Sequence, residues 1–198
     1  MEKNDKCRIC RRAGEKLFLK GDKCYLPSCP VTKRPYAPGQ GGARSGRKKV
    51  SDYAKQLLEK QKARAIYQVS EKQMSNYFAQ ARKKKLSTGN ELINLLENRV
   101  DNMIFRSGLA STRGESRQMV THGNVLVNDK KIQSPSLQLK VGDKVRINAK
   151  LKKEIKGEAL PWLKISKDNL EFELINAPDI DSMTSSINIQ LIIEFYSR

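Results

Sequence analysis

The sequence predicts an α+β protein: a mostly helical N-terminal domain carrying a cysteine metal knot, then a small domain of two short helices and an antiparallel sheet. Three observations predict it. All four cysteines fall between positions 7 and 29, apolar residues recur at three- and four-residue intervals from 53 to 103, and alternating apolar residues begin at Val125. The expected division is residues 1–90 for the N-terminal domain, with 166–198 packing back onto it, and 91–165 for the small αβ domain. A chain of 198 residues is long enough for one medium domain or two small ones.

The cysteines are spaced Cys7-x2-Cys10-x13-Cys24-x4-Cys29. Two close pairs joined by a longer loop suit a tetrahedral thiolate site, each pair approaching the ion from one side. Lys6, Arg8, Arg11, Arg12 and Lys23 flank the sulfurs and favour thiolates. Four thiolates fill the coordination shell and leave no place for a catalytic water, so structural Zn2+ is the expected cofactor. An iron–sulfur cluster also takes four thiolates and is the alternative. Two disulfides would need an oxidising compartment, and a redox dithiol would need a βαβ setting. The few apolar residues before position 34 do not offset chain entropy, whereas zinc contributes on the order of 10 kcal/mol.

Residues 35–49 are rich in Pro, Gly and cations and bury no core. Arg44, Arg47, Lys48 and Lys49 suit an arm laid along phosphates; a solvated linker is the plainer reading. Ser51 is an expected N-cap, and Tyr53, Leu57, Leu58 and Ile66 form a helical stripe. Ser70 and Gln73 fit a capping box for a second helix. That helix ends in Arg82, Lys83, Lys84 and Lys85, which either meet phosphates or offset the helix dipole. Thr88 and Glu91 fit another box, opening a helix with Leu92, Leu95, Leu96, Val100 and Met103 inward and Gly108 at its close.

Thr112 and Glu115 open a further short helix that Gly123 ends. Val125 and Val127, a turn at Asn128-Asp129, and Ile132 make a hairpin. Leu137, Leu139 and Val141 alternate, as do Val145 and Ile147, then Leu170, Phe172 and Leu174. Residues 149–157 have a helical, Lys-rich character. Ile187, Ile189, Leu191, Ile193 and Phe195 predict a C-terminal strand with one buried face.

Charge points to the partner. The 39 Lys and Arg against 21 Asp and Glu give a net +18, a field suited to a polyanion, whose neutralised phosphates release counterions. The charge is uneven: net +16 over residues 1–90, +6 over 91–165 and −4 over 166–198. That asymmetry suggests a nucleic-acid face and a separate, protein-facing end. No apolar run reaches the roughly 20 residues of a membrane span, and no signal-peptide core follows the polar start, so a cytoplasmic location is expected.

Arg113 and Arg117, four apart, project from one helix face, with His122 at its end and Lys130 and Lys131 just beyond the hairpin turn. Together they suit a concave cationic surface against an RNA backbone. Ser111 and Thr112 add hydroxyls and amides at the helix start. Arg117 has a structural alternative as the partner of Glu115 or Asp101, and His122 as a hydrogen-bonded helix end.

The run from Leu96 to Ile147 resembles the small RNA-binding domain of the bacterial small-ribosomal-subunit protein four family. The whole chain is similar to that family: Cys7 to Cys29, Lys33 to Gln40, Ser51-Asp52-Tyr53, Leu58 to Lys62, Leu96-Glu97-Asn98-Arg99, and Gln190 to Arg198 carry the likeness in order. The resemblance implies a primary assembly protein gripping a helix junction in the 5′ part of small-subunit rRNA. It implies a place beside the channel by which messenger RNA enters, next to small-subunit proteins three and five, and an influence on translational accuracy. It also implies zinc on the cysteines, and Arg113, Arg117, His122 and Lys131 on the RNA face with the arm cations. Some family members bind their own messenger as repressors. Three departures stand out: a start without the family's aromatic and basic leader, a shortened stretch at 149–160, and Ile189 in place of an acidic residue near the surface for protein five.

Two other functions compete. An enzyme borrowing the small domain would need a catalytic pocket, and no acid–base pair, nucleotide loop or open metal site is visible. A free regulator of ribosomes or messenger RNA would use the same chemistry.

Overall fold

The computed structural model describes residues 5–39, 42, 50–84, 87–151, 160–166, 168, 170–178 and 187–198. The chain divides into two units, Met1–Phe78 with Thr184–Arg198, and Ala79–Met183.

In the first unit, α1 (Asp5–Ala13), a 3-10 turn (Gly21–Cys24) and α2 (Pro30–Lys33) surround the cysteines. Two longer helices follow, α3 (Asp52–Tyr67) and α4 (Glu71–Lys83), the latter running on into the second unit. Ser51 caps α3, its hydroxyl accepting the Ala54 amide at 3.3 Å. Ser70 and Gln73 exchange bonds at 3.2 and 3.3 Å, the reciprocal box expected.

The C-terminal segment differs from the strand expected: it is helix α8 (Ile189–Tyr196). Asn188 caps it by accepting the Leu191 amide at 3.3 Å. Alternation placed Ile187, Ile189, Leu191, Ile193 and Phe195 inward, yet within the helix it is Ile192 that is fully buried. No strand lies among the unit's described residues to pair with a terminal strand, so helix satisfies the backbone instead. Against the first unit's other helices, Tyr53 meets Phe195 at 5.9 Å and Phe78 stacks on Tyr196 at 4.8 Å. The buried Lys60 ammonium lies 4.2 Å from the Phe195 ring and 2.9 Å from Glu71, which also accepts from Tyr196 at 2.9 Å.

The second unit contains α5 (Thr88–Glu97), α6 (Val100–Arg106), α7 (Arg113–Thr121) and five strands: β1 (Val125–Val127), β2 (Lys130–Ile132), β3 (Lys144–Ile147), β4 (Leu163–Ile165) and β5 (Glu171–Leu174). The sheet is antiparallel throughout, in the order β2-β1-β3-β5-β4. Its inner face and the helices bury Val100, Met103, Ile104, Val120, Val125, Val145 and Phe172.

Five expectations change here. Residues 171–174 pair with β3 and β4 in this unit rather than returning to the N-terminal domain, because Phe172 and Leu174 complete its core. Residues 79–90 also belong to this unit. Thr88 and Glu91 form no capping box: Ser87 precedes the helix without a side-chain cap, and the buried Glu91 carboxylate pairs with Lys84. A buried carboxylate needs a cation more than a helix start needs a cap. Leu137 to Val141 form no strand; Leu139 is buried while Leu137 and Val141 are exposed. Their backbone instead clasps the α5–α6 joint, Val100 N donating to Leu137 O and Leu139 N to Asn98 O, both at 2.9 Å. Of the expected 149–157 helix, Ala149–Leu151 form a 3-10 turn and the rest lies outside the described residues.

Candidate nucleic-acid interface

Helix α7 begins at a well-made cap. Thr112 Oγ1 accepts the Glu115 amide at 3.1 Å, and Glu115 Oε2 accepts the Ser111 amide at 2.8 Å. Two of the amides at this helix start, those of Ser111 and Glu115, are thus taken up by the chain's own side chains.

The other end is built for close approach. Gly123 has φ +69 and closes the helix with Asn124 N donating to Met119 O at 3.0 Å. A Cβ there would sit 2.3 Å from Lys131 Cε and 3.1 Å from its Nζ. Lys131 therefore crosses over the α7 C-terminus, where a cation meets the negative end of the helix dipole. The register that delivers it comes from the hairpin turn: Asn128 and Asp129 have φ +48 and +61, the geometry whose twist matches a two-residue β-hairpin. Asn128 is fixed by Asp143 at 2.8 Å and by the Lys144 amide at 3.0 Å. His122, Lys130 and Lys131 are all exposed, and of the two lysines it is Lys131 that lies against Gly123 at the end of α7.

Beneath α7 runs a buried polar network absent from the sequence expectations. Glu97, fully buried, accepts from Arg106 at 2.8 and 3.1 Å and from Asn102 at 2.7 Å. Asn102 Oδ1 in turn accepts from Arg113 Nε at 2.7 Å, and the Arg113 guanidinium lies 4.4 Å from the Phe105 ring centroid. Fully buried Arg99 forks onto Asp101 at 2.7 and 3.0 Å, and Arg117 reaches the same carboxylate at 3.7 Å. Arg117 has the Asp101 partner weighed for it, and Glu115 accepts from Ser111. The Arg117 side chain is still 36% exposed. Both α7 arginines are held at the surface by α6. Charged residues breaking an apolar stripe between Leu96 and Met103 were the available signal.

Of the remaining cations, Lys83 is exposed and Lys84 pairs with Glu91. Arg44, Arg47, Lys48, Lys49 and Lys85 lie outside the described residues.

Cys7, Cys10, Cys24 and Cys29 are free thiols lining one small pocket. Burial pushes the Cys10 thiol up, a backbone hydrogen bond at Leu17 opposes it, and the charges of Cys24, Cys7 and Cys29 add to the rise. Among the described residues, no three His, Cys, Asp or Glu side chains are set to hold a metal as placed. The donor chemistry nonetheless fits a soft divalent ion: four thiols, none joined in a disulfide, lining one cavity.

Residues 2–97 match the family described as ribosomal protein S4/S9 N-terminal domain, and residues 98–145 match the S4 domain. The small ribosomal subunit protein uS4 of Ruminiclostridium cellulolyticum is 45% identical over 97% of this chain and 96% of its own. The chain belongs to the uS4 family. The uS4 proteins of Thermus thermophilus and Heliobacterium modesticaldum are 42% and 45% identical over the same shares. The α7–hairpin layer thus falls inside the S4 domain of a uS4 chain, and the cysteine segment inside the N-terminal family match. Among the described residues no helix is long and apolar enough to cross a membrane.

Proposed function

We propose that this uS4 chain is a structural, non-enzymatic constituent of the small ribosomal subunit in the cytoplasm, bound to small-subunit rRNA. One observation carries the reading: an S4 domain presents Arg113, Arg117, His122, Lys130 and Lys131 on an α7–hairpin layer, in a chain of net charge +18. Long-range attraction brings the RNA, and the arginines held by α6 meet phosphates with little further ordering.

The finer reading is a primary assembly role at a 5′-domain helix junction, beside the channel by which messenger RNA enters, with proteins three and five as neighbours and a contribution to translational accuracy. The family likeness supports it. The likeness implies an acidic residue where Ile189 opens α8, so a contact with protein five at that turn would lack its charge in this chain. Cys7, Cys10, Cys24 and Cys29 would hold a structural zinc ion, which would tie α1, the 3-10 turn and the start of α2 together; an iron–sulfur cluster is the second choice for the same thiolates.

Sedimentation tests the placement. The protein should remain with small subunits through a high-salt wash. Release at moderate salt would instead indicate a regulator that visits ribosomes or messenger RNA.

A further inference from the structure

Two aromatic rings stand in solvent beside the cysteines. Tyr25 is 72% exposed and Phe18 43%, with ring centroids 4.9 Å apart and planes inclined by 33°. Leu26, also exposed, follows Tyr25. Neighbouring large apolar groups left in water forgo the stabilisation that burial would bring, and such patches mark binding sites.

The backbone holds Phe18 outward against its own preference. Its φ is +51, a region that a bulky L residue rarely enters. Such a conformation persists only where its surroundings impose it, and it concentrates at functional positions. Here the surroundings are explicit. Leu17 and Leu19 on either side are buried, and Lys6 Nζ donates to Leu19 O at 3.3 Å. Gly21 N donates to Phe18 O at 3.4 Å and Tyr25 N to Asp22 O at 3.1 Å, so the 3-10 turn brings the second ring against the first.

The charge around the rings selects the partner. Positions 6 to 36 hold nine basic residues and two acidic ones. Lys16 and Lys20 line the same pocket as Phe18, and Lys23 is exposed on the turn between the rings. Aromatic faces set among cations suit an unpaired nucleotide, whose base stacks on the ring while its phosphates meet the ammonium groups. We infer that Phe18 and Tyr25 form a stacking platform for an unpaired base of small-subunit rRNA. This site lies in the first unit, whereas the α7–hairpin layer lies in the second, and the inference rests on the proposed rRNA binding.

The test uses the full chain bound to a transcript of the 5′ part of small-subunit rRNA, read by affinity and by base-specific chemical probing. Tyr25→Ala should weaken binding about tenfold while leaving the salt dependence unchanged, and should expose an unpaired base that the native protein protects. Tyr25→Phe keeps the ring and should bind like the native protein. Phe18→Asn tolerates the left-handed backbone without supplying a ring, so it should match Tyr25→Ala in affinity with a native circular dichroism spectrum. Native affinity and protection in both ring-deleted variants would overturn the platform and assign the patch to a protein neighbour. A native chain with no preference for the transcript would instead remove the rRNA reading on which the platform depends.

Discussion

Arg113 Nε donates to Asn102 Oδ1 at 2.7 Å, which ties a surface guanidinium of α7 to a side chain of α6 that is 2% exposed. Asn102 passes the restraint inward by donating to both the Glu97 carboxylate and the Glu97 carbonyl. A cation on a long, flexible side chain is thereby aimed before any ligand arrives. Preorganisation of this kind lowers the entropy lost on binding.

Asn102→Ala should therefore weaken rRNA binding several-fold without changing the slope of affinity against salt, because no charge is removed. It should also lower stability by about 1–3 kcal/mol, since Glu97 loses a buried donor. Filter binding across a salt series and a chemical melt of the same variant check both effects.

Arg113→Ala with Arg117→Ala acts on charge instead. Affinity should fall and the salt slope should flatten by about 1.5–2, the loss of two phosphate contacts. The fold should persist, because Asp101 keeps its buried fork to Arg99. An unchanged slope would move the RNA face away from α7.

Leu96 is fully buried. Leu96→Asp places an unpaired charge there and should destabilise the second unit by on the order of 3–5 kcal/mol. Thermal denaturation followed by circular dichroism should show an early transition; a native melting curve would mean the side chain escapes to solvent.

Metal removal should act on the other unit. Around α1, the 3-10 turn and α2 the buried apolar residues are few, Leu17, Leu19 and three of the cysteines among them. A chelator should unfold residues 5–34 and leave 90–150 protected in hydrogen exchange. Metal analysis should find one zinc per chain, and metal-free protein with full protection of 5–34 would refute the assignment.

Acid should loosen the seat of α8. Burial pushes the Glu71 carboxyl up, but hydrogen bonds from Lys60 and Tyr196 and the charges of Lys60 and Arg64 outweigh it, leaving it below the ordinary carboxylate value. Burial and the Glu71 bond together push the Tyr196 phenol up. A lowered carboxylate contributes stability above its unfolded value, about 4.3, which is lost as pH falls through the folded value. Unfolding free energy measured from pH 6 to 3 should fall over that window, and Glu71→Gln should remove much of the dependence.

What the sequence made legible follows from where the physics is local. Ser51, Ser70 with Gln73, Thr112, Gly123 and the Asn128-Asp129 turn each act within four residues, and each sits in the structure as its chemistry requires. The failures are non-local. Glu91 looked like a capping residue and is a buried partner of Lys84, seven residues away. Ile187 to Phe195 alternate in sequence, but only the tertiary surface offered by Tyr53, Lys60 and Phe78 makes helix the better answer. The site divides the same way. Arg113 and Arg117 were visible from their spacing, whereas Glu97, Arg99, Asp101 and Asn102 beneath them take their roles from packing that spacing does not encode.

The most direct measurement of rRNA recognition is competition: the full chain is offered a transcript of the 5′ domain of small-subunit rRNA against heparin, a polyanion without folded structure, at physiological salt. A surface held in place by Asn102 and Asp101 should retain the transcript against a large excess of heparin. Equal partition between the two would mean that net charge alone does the binding, and that the geometry of α6 and α7 contributes nothing to it.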